Sequence, residues 1–257
     1  MDTSYRTPVP DQAESTPPSP VVSIVNGNNA DLIAEVSRLY IRDGAEVADV
    51  TWGKGAFWSK ANNGRFKVQG SDIAEHIGGK DGIVQADFCD LPYDDASFDV
   101  VVLDPPYIHN PGKHQTDSRY NNAGTTAGMY HADIRELYRD GMREAMRVLR
   151  PGGLVFVKGK DEIESGKQCW SQTELLLDAQ SMGLYGKDAF VLVPTSRTSM
   201  RRWKNQLHAR KVHSFLWVFE KPEKTNRRWF HVVDEDGFVA QRQARQPHKE
   251  IGGWCWV

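Results

Sequence analysis

Val100-Val101-Val102-Leu103-Asp104-Pro105-Pro106-Tyr107 decides the fold: a short, unbroken apolar run that ends in a carboxylate, two prolines and an aromatic ring. Such a run reads as a strand buried on both faces of a parallel sheet. Sheets of that kind deliver functional groups at the carboxyl ends of their strands. Proline drives the residue before it out of the helical region and has no N–H of its own, so the peptide after Leu103 stays extended. Its carbonyl oxygens are thereby left to accept hydrogen bonds. An Asp carboxylate beside a Pro carbonyl is a two-pronged acceptor for one NH2 group, and Tyr107 offers a flat face to a planar ring. The pattern suits the exocyclic amine of a nucleobase. The same residues also read as a Pro-stiffened surface turn, so the surrounding sequence has to arbitrate.

Upstream, Val47-Ala48-Asp49-Val50 reads as a first strand that runs into Thr51-Trp52-Gly53-Lys54-Gly55. The spacing D-x-x-x-G-x-G at a strand end allows a tight turn and a close approach to a ligand. A dinucleotide site would need a third glycine, and that position holds Trp58. Two further strand-like stretches end in acids: Phe66 to Gly70 leads to Asp72, and Ile83 to Ala86 leads to Asp87-Phe88. A carboxylate after the second strand suits ribose hydroxyls, and one after the third can reach an adenine amino group. Each alone also reads as a helix cap or a solvated turn. Three at successive strand ends, ahead of Asp104, are hard to read as caps.

With these motifs together, the chain resembles the class I S-adenosylmethionine-dependent methyltransferases that modify exocyclic amines of DNA. More closely, it resembles small DNA methyltransferases of phages and actinobacteria. The stretches that carry the resemblance are Asp49-Val-Thr-Trp-Gly-Lys-Gly-Ala-Phe-Trp58, Ala96 to Tyr107, Leu149-Arg-Pro-Gly-Gly-Leu-Val-Phe-Val-Lys158 and His208 to Phe219. It covers about Ser23 to Lys221, and D-P-P-Y is its most specific part. The chain departs from the pattern at Thr51-Trp52, where Pro-Phe or a similar pair is common.

The resemblance implies a doubly wound α/β, Rossmann-like sheet of seven strands with the last antiparallel. It implies S-adenosylmethionine as cofactor, held by Asp49, Thr51, Gly53, Gly55, Asp72, Asp87 and Phe88. It implies DNA, or else RNA, as partner, with Asp104, Pro105, Pro106 and Tyr107 as the catalytic set and N6 of adenine as the favoured target. N4 of cytosine presents an NH2 to the same acceptors and stays open, as does a non-catalytic DNA-binding protein of this fold. The Asn26-Gly-Asn-Asn29 stretch could line the methionine end of the cofactor or simply cap a helix.

The 257 residues suffice for one such domain with appendages. A formal net charge of −2 excludes a globally basic nucleic-acid binder, so contacts to phosphates must come from a local patch. That patch is Arg197 to Lys211, which carries Arg197, Arg201, Arg202, Lys204, Arg210 and Lys211, no acid, and an embedded Trp203. A solvated basic loop is the plain alternative. Cys89, Cys169 and Cys255 lie far apart and form no metal-binding spacing, so no metal is expected and a reducing compartment is. No Pro-Cys nucleophile of the cytosine-C5 kind is present, and Cys89 is read into the third strand. No apolar run reaches membrane-spanning length and no signal-peptide core is visible, so a soluble cytoplasmic protein is expected.

Residues 1–20 hold five prolines among polar residues and read as a disordered tail. The domain is taken as 21–221. Helices are predicted over Ala30–Ile41, Ile134–Leu149 (stopped by Pro151-Gly152-Gly153) and Ser171–Met182. Strands are predicted at Leu154–Val157, Ala189–Val193 and His213–Phe219. Ile108 to Tyr130 reads as a flap beside Asp104, with Lys113, Arg119 and Tyr120 able to meet a nucleic acid or merely solvent. Residues 222–257 read as a small hairpin followed by an apolar tail ending Trp254-Cys-Trp-Val257.

Overall fold

The alternation of short apolar runs with amphipathic stretches resolves into a sheet with helices on both faces. The computed structural model describes residues 19–61, 63–74, 77–79, 81–107, 129–195 and 207–224. Residues 108–128 of the expected flap, 196–206 of the expected basic patch, 1–18 of the expected tail and 225–257, expected as a hairpin with an apolar tail, lie outside them.

The strands in chain order are β1 (Ile24–Gly27), β2 (Glu46–Asp49), β3 (Lys67–Asp72), β4 (Val84–Gln85) and β5 (Phe98–Leu103). They continue with β6 (Leu149–Gly159), β7 (Glu162–Glu164), β8 (Lys167–Cys169), β9 (Tyr185–Pro194) and β10 (Ser214–Glu220). The helices are α1 (Asn29–Tyr40), α2 (His131–Val148) and α3 (Ser171–Ser181), with a 3-10 turn at Ala56–Ser59. The main sheet runs β1-β9-β10-β6-β5-β2-β3-β4. β10 is antiparallel to both its neighbours, and every other adjacent pair is parallel.

Side-chain alternation on the central strands explains the two-faced core. Val100, Val102, Leu154 and Phe156 pack with Leu32, Ile33 and Val36 of α1. Val101, Leu103, Val155 and Val157 pack with Tyr138 and Met142 of α2 and Leu175 of α3. A run without polar residues is what a strand covered on both sides requires.

The main sheet has eight described strands rather than the expected seven. The added one, β1, pairs in parallel with β9 from Ile24↔Val191 to Gly27↔Pro194. Only Val25 of its four residues is buried, so it leaves no run of apolar residues to detect. Asn28 then caps α1, its side chain accepting the N–H groups of Ala30 and Asp31 at 2.9 and 3.2 Å. Pro151-Gly152-Gly153 does not sit between α2 and a strand. It lies inside β6, which starts at Leu149 and shifts register against β5 between Phe98 and Val100. β7 and β8 form an unanticipated hairpin through Ser165 and Gly166, both at positive φ (48° and 77°). That is the backbone a two-residue hairpin turn demands.

The chain order places the site. From β2 it steps outward through β3 to β4, then crosses back to β5 on the other side of β2. The gap at the carboxyl ends of β2 and β5 is therefore the topological switch point, where sheets of this type hold ligands.

Candidate active site

β2 ends in Asp49, whose residue is 1% exposed. Its Oδ2 accepts the Trp58 indole N–H at 2.8 Å and its Oδ1 the Thr51 N–H at 3.2 Å. Burial pushes the carboxyl up to about 7, opposed by those two hydrogen bonds and reinforced by the charges of Asp104 and Asp72. The loop after it turns through Gly53 (φ +55°) and Gly55 (φ +64°), a region that costs other residues. The two glycines face different surroundings. A Cβ on Gly55 would stand 2.6 Å from the Trp52 ring, so Trp52 fills that side of the loop. A Cβ on Gly53 would meet nothing nearer than the Thr51 carbonyl oxygen at 4.0 Å, which leaves an open face.

β3 ends in Asp72, which ties the loop down. Its Oδ2 accepts the Gly53 N–H at 2.8 Å and its Oδ1 the Ala74 N–H at 2.9 Å. Asp87, two residues beyond β4, is exposed and accepts the Cys89 N–H at 2.9 Å. Phe88 turns the other way. It is buried in the core against α2, so close to Gly141 that a Cβ there would stand 2.8 Å from its ring. The Phe88 ring is thereby committed to the core, which leaves its backbone as the part that could face a cofactor. Cys89 is not in a strand; it occupies a turn after β4, half-buried. Burial, with Asp87 and Asp140 nearby, pushes its thiol up to about 12, which suppresses the nucleophilic thiolate.

β5 delivers Asp104-Pro105-Pro106-Tyr107 beside the glycine loop. The two segments are stitched together: the Asp104 N–H donates to Thr51 Oγ1 at 2.8 Å, one step beyond the ladder bond from Val50 N–H to the Val102 carbonyl at 3.1 Å. Thr51 thus joins the two motifs. Pro105 is buried, and Pro106 and Tyr107 are half-buried. Tyr107 packs against the α2 side of the core and walls a pocket shared with His131, Ile134, Lys160 and Glu162.

One charged partner at this site carries no role in the sequence reading. Lys158 of β6 extends its ammonium to both oxygens of Asp104, at 3.1 and 3.3 Å, with side-chain exposures of 3% and 16%. The same Nζ lies 5.3 Å from the centre of the Tyr107 ring. Tyr138 of α2 donates its hydroxyl to the Lys158 carbonyl at 2.7 Å. Burial raises the Asp104 carboxyl above its ordinary range, and Lys158 opposes that rise by charge and hydrogen bond. A cation ending the apolar run Leu154 to Val157 was the available signal.

The parallel order β5-β2-β3-β4 therefore puts Asp104, Asp49, Asp72 and Asp87 along one sheet edge. Of the expected nucleic-acid residues, Arg197, Arg201, Arg202 and Lys204 lie outside the described residues. Arg210 and Lys211 are half-buried just ahead of β10, and Lys211 Nζ stands 5.4 Å from the centre of the exposed Trp170 ring. Among the described residues no cluster of His, Cys, Asp and Glu suits a metal ion, and no helix is long and apolar enough to cross a membrane.

No protein-family description matches this chain, and no curated protein does. Solved structures that overlap it include a SAM-dependent methyltransferase from Methanosarcina mazei, 14% identical over 74% of this chain and 98% of that one, with a TM-score of 0.46. A SAM-dependent methyltransferase from Aquifex aeolicus is 14% identical over 74% and 89%, at 0.45. TrmN from Thermus thermophilus is 20% identical over 75% and 48%, at 0.47.

Proposed function

We propose that this chain is an S-adenosylmethionine-dependent methyltransferase acting on the exocyclic amine of a nucleic-acid base, with N6 of adenine in DNA as the target. The observation that supports it best is the Thr51–Asp104 hydrogen bond, which joins the glycine loop to the acid–proline acceptor at the switch point. The residues present suit the cofactor. Asp72 and Asp87 end the strands beside the loop, where ribose hydroxyls and an adenine amino group could meet them, and Gly53 leaves a face open for close approach. Asp49, Thr51, Gly53, Asp72 and Asp87 are the residues that would hold it.

When bound, S-adenosylmethionine supplies an electrophilic methyl whose C–S electron pair departs with sulfur as a neutral thioether. The chain's own residues act on the other reactant. An aryl amine is a weak nucleophile because its lone pair is conjugated with the ring. Asp104 and the Pro105 carbonyl accept its two N–H hydrogens and draw the nitrogen toward tetrahedral geometry, freeing the pair to form the N–C bond. The nitrogen then sheds one proton along its hydrogen bond to Asp104, which passes it to water. No covalent enzyme intermediate forms, so the suppressed Cys89 thiolate is no obstacle. The enzyme contributes alignment and fixed charge. Tyr107 stacks on the extruded base and recovers part of the few kcal/mol that unstacking costs.

Incubating the full chain with methyl-labelled cofactor and mixed DNA, then digesting to nucleosides, tests this. Labelled N6-methyldeoxyadenosine is expected. Label in N4-methyldeoxycytidine alone, or in RNA alone, would change the substrate. Cofactor binding without transfer to any nucleic acid would overturn the enzymatic reading.

A further inference from the structure

We propose that Lys158 is the positioning residue that makes Asp104 a pure hydrogen-bond acceptor toward the substrate amine. This rests on the methyltransferase reading above and adds a residue to it. The ammonium reaches both carboxylate oxygens, so it fixes the plane of the carboxyl as well as its charge. Its backbone is equally constrained. Val157 pairs with Leu103 in the β6–β5 ladder, so Asp104 and Lys158 follow side by side, with Lys158 still paired to Leu216 of β10. Tyr138 anchors the Lys158 carbonyl from α2. A lysine buried this deeply would be costly without a full counter-charge, and Asp104 supplies it.

The groups around Asp104 make the need for Lys158 plain. From β2 and its loop come the Asp49 carboxylate and the Thr51 hydroxyl. From α2 comes the Tyr138 ring, and Tyr107 lies beyond the prolines. Asp72 of β3 adds negative charge through Asp49, and Lys160 stands further along β6's exit, near Lys158. Among these, Lys158 is the cation in contact with the carboxylate. Burial favours a protonated Asp104, and Lys158 opposes it by charge and hydrogen bond. A protonated carboxyl would turn a donor toward N–H hydrogens that need an acceptor, and it would lose the charge that draws them.

The test is a direct titration of Asp104 in the cofactor-free full chain, using carboxyl-13C aspartate assigned by its loss in Asp104→Asn. In Lys158→Met the Asp104 resonance should titrate at least about one pH unit higher than in the wild type, while Lys158→Arg keeps the wild-type value. The acidic limb of the methyl-transfer pH profile should move up with it. Transfer at pH 7 should fall on the order of 100-fold and recover in part at higher pH. Should Lys158→Met fail to fold, Lys158→Gln keeps a donor without the charge and carries the same measurement. An Asp104 titration that does not move, or a loss of transfer that is flat with pH, overturns the proposal. The NMR reading needs neither cofactor nor DNA. An inactive wild type with a shifted titration therefore sinks the methyltransferase reading and leaves the pairing standing.

Discussion

Asp49 and Asp104 are the same residue type at the ends of two adjacent parallel strands, and their surroundings make them different groups. Asp49 is satisfied by two neutral donors, an indole N–H and a backbone N–H, and burial pushes its carboxyl up to about 7. Asp104 is matched by a buried ammonium that opposes the same push. The first is a wedge that shapes the glycine loop. The second is a carboxyl held through both oxygens by a buried ammonium at the end of β5. Position in the sheet supplies the carboxylate, and the partner decides its chemistry.

The strongest way to break this contrast is Asp104→Asn. On the proposed reading transfer should fall by about 1,000-fold or more, because Asn removes the charge offered to the amine. Cofactor affinity should stay within a few-fold, measured by calorimetry; loss of both together would place Asp104 in the cofactor pocket instead. A thermodynamic version comes from Asp49. Its folded carboxyl binds a proton more tightly than the 3.8 of an ordinary Asp, so the native state holds the extra proton between pH 4 and 7. Stability from this group is present below about pH 4, falls as pH rises, and is fully lost above about 7, a swing of about 4 kcal/mol. Asp49→Asn should flatten denaturant-derived stability over that window; an unchanged slope would mean that Asp49 titrates normally.

Thr51→Val probes the stitch between the two strand ends. It leaves the Asp104 N–H without its acceptor, so stability should drop by about 1–3 kcal/mol in a urea titration. If stability holds while transfer falls, the hydroxyl acts on geometry alone. The smallest effect belongs outside both ends. Lys211→Ala should leave both carboxylates as they are and lower the salt slope of DNA binding by about one. No change in slope would remove the Trp170 rim from the interface.

What could be read in the chain follows the range of the forces involved. β5 and its D-P-P-Y were legible because burial on both faces and proline's fixed backbone are written in adjacent residues. The glycine loop was legible for the same reason. β1 was not, since one buried valine cannot separate a strand from a loop. That the Phe88 ring turns inward to meet α2 was not legible either, since the partner, Gly141, is 53 residues away. The length of β6 was hidden by Pro151-Gly152-Gly153, which normally ends an element; here a register shift absorbs it.

Alone, the amino-acid order determined the strand-and-helix alternation, the acids that end the strands and the rigid acceptor after Leu103, all local consequences of side-chain shape and solvation. Only the folded sheet decided that Lys158, 54 residues away, would neutralise Asp104, and that Thr51 would hold that residue's N–H. Charge pairing in a water-poor interior depends on distances of about 3 Å, and a linear chain does not contain those until β2, β5 and β6 lie side by side.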